Sequence, residues 1–305
     1  SCDQSYWAEP TVIVGAEAPG PEVSFSQAAA ENEANGRRIL AGTVTRDRRF
    51  SLVVGRGATR AVAVFRPRGR GLLDAVLTLV GPNSVVSFEG FEISMLGQQA
   101  ARQPSAVMLV DYRVRELDGR QQHIHELSLN GRPVTLTIDV YAEGDGLRFA
   151  YECSERLTDF ALGRADRQAP AVYYGHGYRI LRPQAFRAGF GGHNLSTSHV
   201  GFDFEGGMSL LQAFDVPPDY LEVAPESALY RLHSHYGQGT FTLVPGESGA
   251  LDCAIRYRPL YDKQPAGGVE RLAGRFCFDI WGGRYADIAD HMKQMIRYGL
   301  TDCFL

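Results

Sequence analysis

From Arg49 onward the sequence is dominated by short runs in which apolar and polar residues alternate, and most of these runs are closed by Gly, Pro or Asn. A period of two puts every second side chain on one face, the pattern of a half-buried β-strand. The runs fall at Arg49–Val54, Ala61–Phe65, Leu72–Val80, Val85–Ile93, Val107–Val114, His123–Leu129 and Val134–Tyr141. More are expected at Tyr173–Leu181, Gly207–Phe214, Leu229–His235, Gly239–Val244, Leu251–Tyr257 and Leu272–Ile280. Strands at this regular spacing, with hardly a helical period among them, predict an all-β sandwich or barrel. The firmest local element is a hairpin. Val134, Leu136, Ile138 and Val140 alternate with polar neighbours, Glu143-Gly144-Asp145-Gly146 turns the chain, and Leu147, Phe149, Tyr151 and Cys153 alternate on the return. Turn chemistry and both flanking periods agree there.

Helical periodicity first becomes persuasive near Arg284. Tyr285, Ile288, Ala289, Met292, Met295 and Ile296 fall on one helix face, with Asp287 and Asp290 near the start and Lys293 and Arg297 near the end, as the helix dipole favours. Gly299 supplies a stop, and Leu300 to Leu305 read as the beginning of a strand that needs neighbours. The expectation is therefore the front part of a longer protein. Residues 1–36, polar and broken by Gly15, Pro19, Gly20 and Pro21, are expected to form an irregular arm. Residues 37–280 are expected to form the β domain, with 37–105 left open as a separate β module, and 281–305 a linker helix and the start of a next domain.

Composition narrows the partners. With 44% hydrophobic and 22% charged residues the 305-residue chain suits a globular protein, and a formal net charge of -4 offers no general attraction for nucleic acid or anionic lipid. Arg37–Arg70 is a local exception, ten arginines against the single acid Asp47, read as strand arginines facing water because aromatics for base stacking are few. No nucleic-acid partner is expected, and no apolar run reaches the length of a membrane span. The five cysteines, Cys2, Cys153, Cys253, Cys277 and Cys303, are widely spaced and form no C-x-x-C pair, so neither a disulfide framework nor a zinc site is expected. The first residue is not Met, which points to processing or cutting, and Cys2 stands where the acylated cysteine of an exported lipoprotein would stand. An exported protein, periplasmic, extracellular or lipoprotein-anchored, is the expectation; the other reading of Cys2 is a plain terminal residue.

The hairpin and the tail carry a resemblance. Val140-Tyr-Ala-Glu-Gly-Asp-Gly-Leu-Arg-Phe-Ala-Tyr151 resembles the hairpin of the N-terminal β-supersandwich in several glycoside hydrolases, of the α-galactosidase, α-glucosidase and endo-α-N-acetylgalactosaminidase kinds. Trp281-Gly-Gly-Arg-Tyr-Ala-Asp and Met292 to Leu305 are similar to the helix that leads there into the first strand of a catalytic (β/α)8 barrel. The resemblance implies a large two-sheet antiparallel β-supersandwich of the galactose mutarotase kind, with a C-terminal helix leading into a first barrel strand. It implies carbohydrate as ligand, the missing C-terminal barrel as partner, and no cofactor. Glycoside hydrolysis normally needs two carboxylates flanking the bond, and barrel enzymes place them at the strands' C-terminal ends. The chain alone is therefore expected to be inactive and to brace the barrel, lending a loop to the carbohydrate site.

Candidate carbohydrate contacts are His193, Asn194 and His199 in the polar stretch Gly191–His199, together with Tyr174 and His176; a solvated loop explains that stretch equally well. Domain-junction candidates are Trp281, Arg284, Met292 and Ile296. The pairs His123/His125 and His233/His235 each put two imidazoles on one strand face, the geometry of cupin-type metal sites, but a suitably spaced glutamate is lacking and no metal is expected. The alternative function is a free-standing carbohydrate-binding or aldose 1-epimerase-like module. In the epimerase version His176, His193, His233 or His235 would act as acid and Glu222 or Glu226 as base. Tyr173, Tyr174, Tyr178, Tyr220 and Tyr236 are read as sandwich filling or sugar-stacking rings.

Overall fold

A computed structural model describes residues 50–260 apart from 69–70, 96–97, 100–106 and 192–193, and beyond them 271, 276–277, 283–301 and 303–304. The expected arm at 1–36, His193 and Trp281 lie outside the described residues. Two units are distinguished, residues 1–261 and 262–305.

In the first unit the strands run, in chain order, β1 (Phe50–Val54), β2 (Ala61–Arg68), β3 (Gly71–Val80), β4 (Val85–Glu89), β5 (Phe91–Met95), β6 (Gln98–Gln99), β7 (Val107–Leu117), β8 (Arg120–Leu129), β9 (Arg132–Glu143) and β10 (Gly146–Cys153). They continue as β11 (Leu157–Leu162), β12 (Ala171–Tyr174), β13 (Tyr178–Leu181), β14 (Phe186–Gly189), β15 (His199–Asp203), β16 (Ser209–Phe214), β17 (Tyr220–Ala224), β18 (Leu229–His233) and β19 (Gln238–Gly246). Every pairing among them is antiparallel apart from one isolated bridge, Phe190 with Leu195. A nine-stranded sheet, in the order β13-β12-β15-β16-β19-β10-β9-β8-β7, faces three smaller sheets, β1-β2-β3-β4, β11-β5-β6 and β14-β17-β18. The all-β supersandwich expected from the sequence is the fold observed.

The two layers close on an aromatic core. Phe149, Phe214 and Phe241 of the large sheet meet Phe91 and Phe160 of the smaller ones at ring separations of 4.9–6.4 Å. Leu52, Val54, Phe65 and Leu79 of β1–β3 share that core with Leu127, Leu136 and Phe149. The run Val85–Ile93 breaks into β4 and β5 at Gly90, where a Cβ would lie 2.4 Å from the Leu73 carbonyl oxygen. Only glycine lets the two backbones approach so closely.

One seam in the smaller layer is closed by a side chain. β11 and the end of β18 exchange main-chain hydrogen bonds at Phe160 and Ser234, 2.7 and 3.1 Å, but a few residues earlier β17 is the only strand paired with β18 among the described residues. There Gln212, fully buried on β16 of the opposite sheet, donates through Nε2 to the Tyr230 carbonyl at 2.7 Å and accepts from the Leu232 N–H at 3.1 Å. An amide side chain thus takes the place of a neighbouring peptide and pins one layer to the other.

One expectation changes. Residues 251–257 form a helix, α1 (Ala250–Tyr257), not a strand. Gly249 enters it at φ 102°, Asp203 accepts a hydrogen bond from the Ala250 N–H, and Cys253 and Tyr257 bury against Leu211, Ala213 and Val244. Packing on the large sheet's outer face selects the helical spacing. In the second unit β20 (Phe276–Cys277) pairs in parallel with β21 (Cys303–Phe304), with α2 (Tyr285–Arg297) in the connection. Of the run expected at Leu272–Ile280, Phe276 and Cys277 are the described strand residues, and they pair with Cys303 and Phe304. A parallel pair joined through a helix is a βαβ crossover, a different architecture from the antiparallel sandwich.

Candidate functional site

β14, β17 and β18 have two unlike faces. Ala188, Leu221, Val223, Tyr230 and Leu232 point into the core, and Arg187, Tyr220, Glu222, Arg231 and His233 alternate with them. Register decides who meets whom: Arg187 pairs with Glu222, Glu222 with Arg231, and Tyr220 with His233. Glu222 Oε1 accepts from Arg187 at 2.7 Å, and Oε2 accepts from Arg231 Nε at 2.7 Å and lies 3.3 Å from His233 Nε2. His233 Nδ1 is 2.7 Å from Asp159 on β11, and Arg231 Nη1 forms an ion pair with Glu92 on β5 at 2.7 Å. Tyr220 stacks on the His233 ring at 4.1 Å and lies under the Arg187 guanidinium at 5.0 Å.

The electrostatics follow from these partners. The hydrogen bond from His233, with those from Arg187 and Arg231, holds the Glu222 carboxyl far below the ordinary range despite its burial. For His233, burial is the largest single influence and pulls its pKa down, but the Asp159 and Glu222 carboxylates outweigh it and the net displacement is upward. The group is thus three carboxylates against two guanidiniums and an imidazolium, charge-balanced when His233 carries its proton.

Glu222 and His233 are one of the acid–base combinations open to an epimerase, and their arrangement is unsuited to it. Both oxygens of Glu222 and both nitrogens of His233 are engaged by protein, and His233 is 1% exposed. A carboxylate with so low a proton affinity is a weak base, and an imidazole without a free nitrogen cannot reach a sugar hydroxyl. Glu226 lies apart, lining an open cleft of about 430 Å³ with Glu89, Arg164 and Asp166. The other histidine pair is structural. His125 Nε2 accepts from the Leu72 N–H at 3.1 Å while Nδ1 lies 3.2 Å from the Leu136 carbonyl, and His123 Nδ1 is 2.7 Å from the Tyr112 hydroxyl. Burial pushes His123 and His125 down to about 3 and about 4, so both are neutral core residues. Among the described residues no His, Cys, Asp or Glu cluster is arranged to hold a metal.

The expected carbohydrate contacts separate. Tyr174 is half-buried against Tyr178 and Phe186, and His176 is exposed on the turn joining β12 to β13. That turn touches the Gly191–His199 stretch, since a Cβ on Gly175 would lie 2.3 Å from the main-chain oxygen of exposed Asn194. His199 belongs elsewhere: it is half-buried on β15 with its ring 5.9 Å from Tyr257 of α1, and burial lowers its pKa. In the second unit Arg284 and Ile296 are exposed and Met292 is half-buried. No helix among the described residues is long and apolar enough to cross a membrane.

No protein-family model matches the chain, and no curated protein matches its sequence. Solved structures do. The α-N-acetylgalactosaminidase NagBb from Bifidobacterium bifidum, in its GalNAc complex, superposes with a TM-score of 0.54 at 8% identity, over 79% of this chain and 49% of that one. Its quadruple mutant gives 0.51 at 8% identity, over 75% and 43%. What is shared is the fold. The likeness lies in the sandwich, and this chain spans less than half the length of the structures it matches.

Proposed function

We propose that this chain is the non-catalytic N-terminal β-supersandwich of a glycoside hydrolase, bracing a catalytic (β/α)8 barrel that follows it and lending a loop to the carbohydrate site. The observation that carries the reading is the fold shared with NagBb over 79% of the chain. Two further features support it. The juxtaposed acid–base pair, Glu222 and His233, is spent on internal ion pairs. The parallel pairing of Phe276–Cys277 with Cys303–Phe304 has the form of the repeating unit of a (β/α)8 barrel.

The test compares this chain with the product of the full coding region on a panel of aryl α- and β-glycosides, and follows mutarotation of free aldoses by polarimetry. Hydrolysis by the long product alone is expected. Glycosidase or epimerase activity in the short chain would overturn the reading in favour of an independent module.

A further inference from the structure

The charged network leaves unused the group of side chains at one end of β14, β17 and β18. Phe190 and Tyr236 are 43% and 38% exposed there, large aromatics that the core does not claim. Asp219 links the two segments: the Phe190 N–H donates to the Asp219 carbonyl at 2.8 Å, and the Asp219 N–H to the His233 carbonyl, three residues before Tyr236, at 2.8 Å. His235 Nδ1 is hydrogen-bonded to Asp219 Oδ1, and the His235 ring backs Tyr236 at 4.5 Å with 26° between the planes. Beneath this rim the Asp159–His233–Glu222–Arg231 ion pairs tie β11, β17 and β18 together.

We infer that Tyr236, Asp219 and Phe190 form a binding subsite for a neutral pyranose. The inference rests on the glycoside-hydrolase reading above and names what the sandwich itself would hold. An aromatic face of this kind covers the apolar C–H face of a sugar ring. The Asp219 carboxylate, 31% exposed and fixed by His235 through one oxygen, keeps the other to accept from a hydroxyl group. The rim presents a carboxylate already paired with His235, which disfavours an anionic ligand; a ring of hydroxyls and C–H groups suits it. Because His235 already positions Tyr236 and Asp219, little side-chain freedom is lost on binding.

The experiment is saturation-transfer NMR and a ligand titration of this chain with methyl α- and β-galactopyranosides and methyl α- and β-glucopyranosides. At least one is expected to receive saturation. Tyr236→Ala and Asp219→Ala should each weaken it about tenfold or more, the loss of one stacked ring or one charge-assisted hydrogen bond. Tyr236→Phe should bind within about twofold of the parent, since the ring is what stacks. Both sites are partly exposed, and the urea midpoint of each variant checks that the fold is intact. No transfer to any of the four sugars, or equal binding by both alanine variants, overturns the subsite. If the long product hydrolyses glycosides while this chain binds no sugar, the subsite falls and the parent reading stands. If the long product is inert yet this chain binds through Tyr236, the parent reading falls alone.

Discussion

Replacing Glu222 with Gln separates a structural from a catalytic role for the charged network. The substitution keeps the shape but removes the charge that Arg187, Arg231 and His233 share. The three losses are unequal. Arg187 has a side chain 65% exposed, so its pair contributes only about 0–1 kcal/mol. Arg231 and His233 are 5% and 1% exposed and cannot recover solvent when their partner is neutralised. Breaking a buried ion pair from one side costs about 3–5 kcal/mol. Glu92 remains 2.7 Å from Arg231 and Asp159 2.7 Å from His233, which places the expected loss at the lower end. We therefore expect a destabilisation of about 3 kcal/mol, a large part of the 5–15 kcal/mol typical of a domain. In urea the unfolding midpoint should fall by about 1–2 M with an unchanged slope. A midpoint shift below about 0.3 M would refute the reasoning, because it would mean the network is already hydrated. Lost mutarotation with an unchanged midpoint would make Glu222 a base instead.

Three other outcomes follow from the fold. Gln212→Leu should lower stability by about 2–5 kcal/mol in the same urea assay, since the Tyr230 carbonyl and the Leu232 N–H are left buried and unpaired; a loss under about 1 kcal/mol would show that another group closes the seam. Stability should peak near pH 6.5. Buried neutral His123 and His125, with pKa values lowered to about 3 and about 4, contribute fully above the unfolded value of 6.5 and lose that contribution as pH falls, while His233, raised, contributes fully below 6.5 and loses it as pH rises through its folded value. A flat profile between about pH 5 and 8 by denaturant titration would contradict these assignments. Gly90→Ala should prevent β4 and β5 from passing β3 so closely, since its Cβ would lie 2.4 and 2.6 Å from two main-chain oxygens, and a native-like circular dichroism melt for that variant would show that the backbone can yield.

The strands that were legible in the sequence are those with one face in the core and one in water. β8 and β9 alternate buried with partly exposed residues along nearly their whole length, so a period of two is written into them. β11, β14, β15 and β17 carried no such mark, being only four to six residues long. α1 is the instructive failure. Leu251, Cys253, Ile255 and Tyr257 alternate with Asp252, Ala254 and Arg256 as cleanly as in any strand, yet Leu251 and Ile255 end up 64% and 70% exposed. The chain also contains a second period, Ala250, Cys253 and Tyr257, and an Asp252–Arg256 pair at helical spacing, 2.9 Å apart in the structure. Two patterns of comparable quality cannot be ranked by periodicity; the flat outer face of β15, β16 and β19 ranks them, because it accepts one helical stripe. The charged network was illegible for a related reason. Glu92, Asp159, Arg187, Glu222, Arg231 and His233 come from five strands, and sequence reading could name Glu222 and His233 only as separate options. Their meeting depends on the register that opposes Tyr220 to His233. A slip of one residue would turn Glu222 and His233 to opposite faces and dissolve the site while leaving every local pattern intact. What the hydrophobic alternation specifies is therefore the sheet, and the chemistry on its outer face is fixed by the core that sets the register.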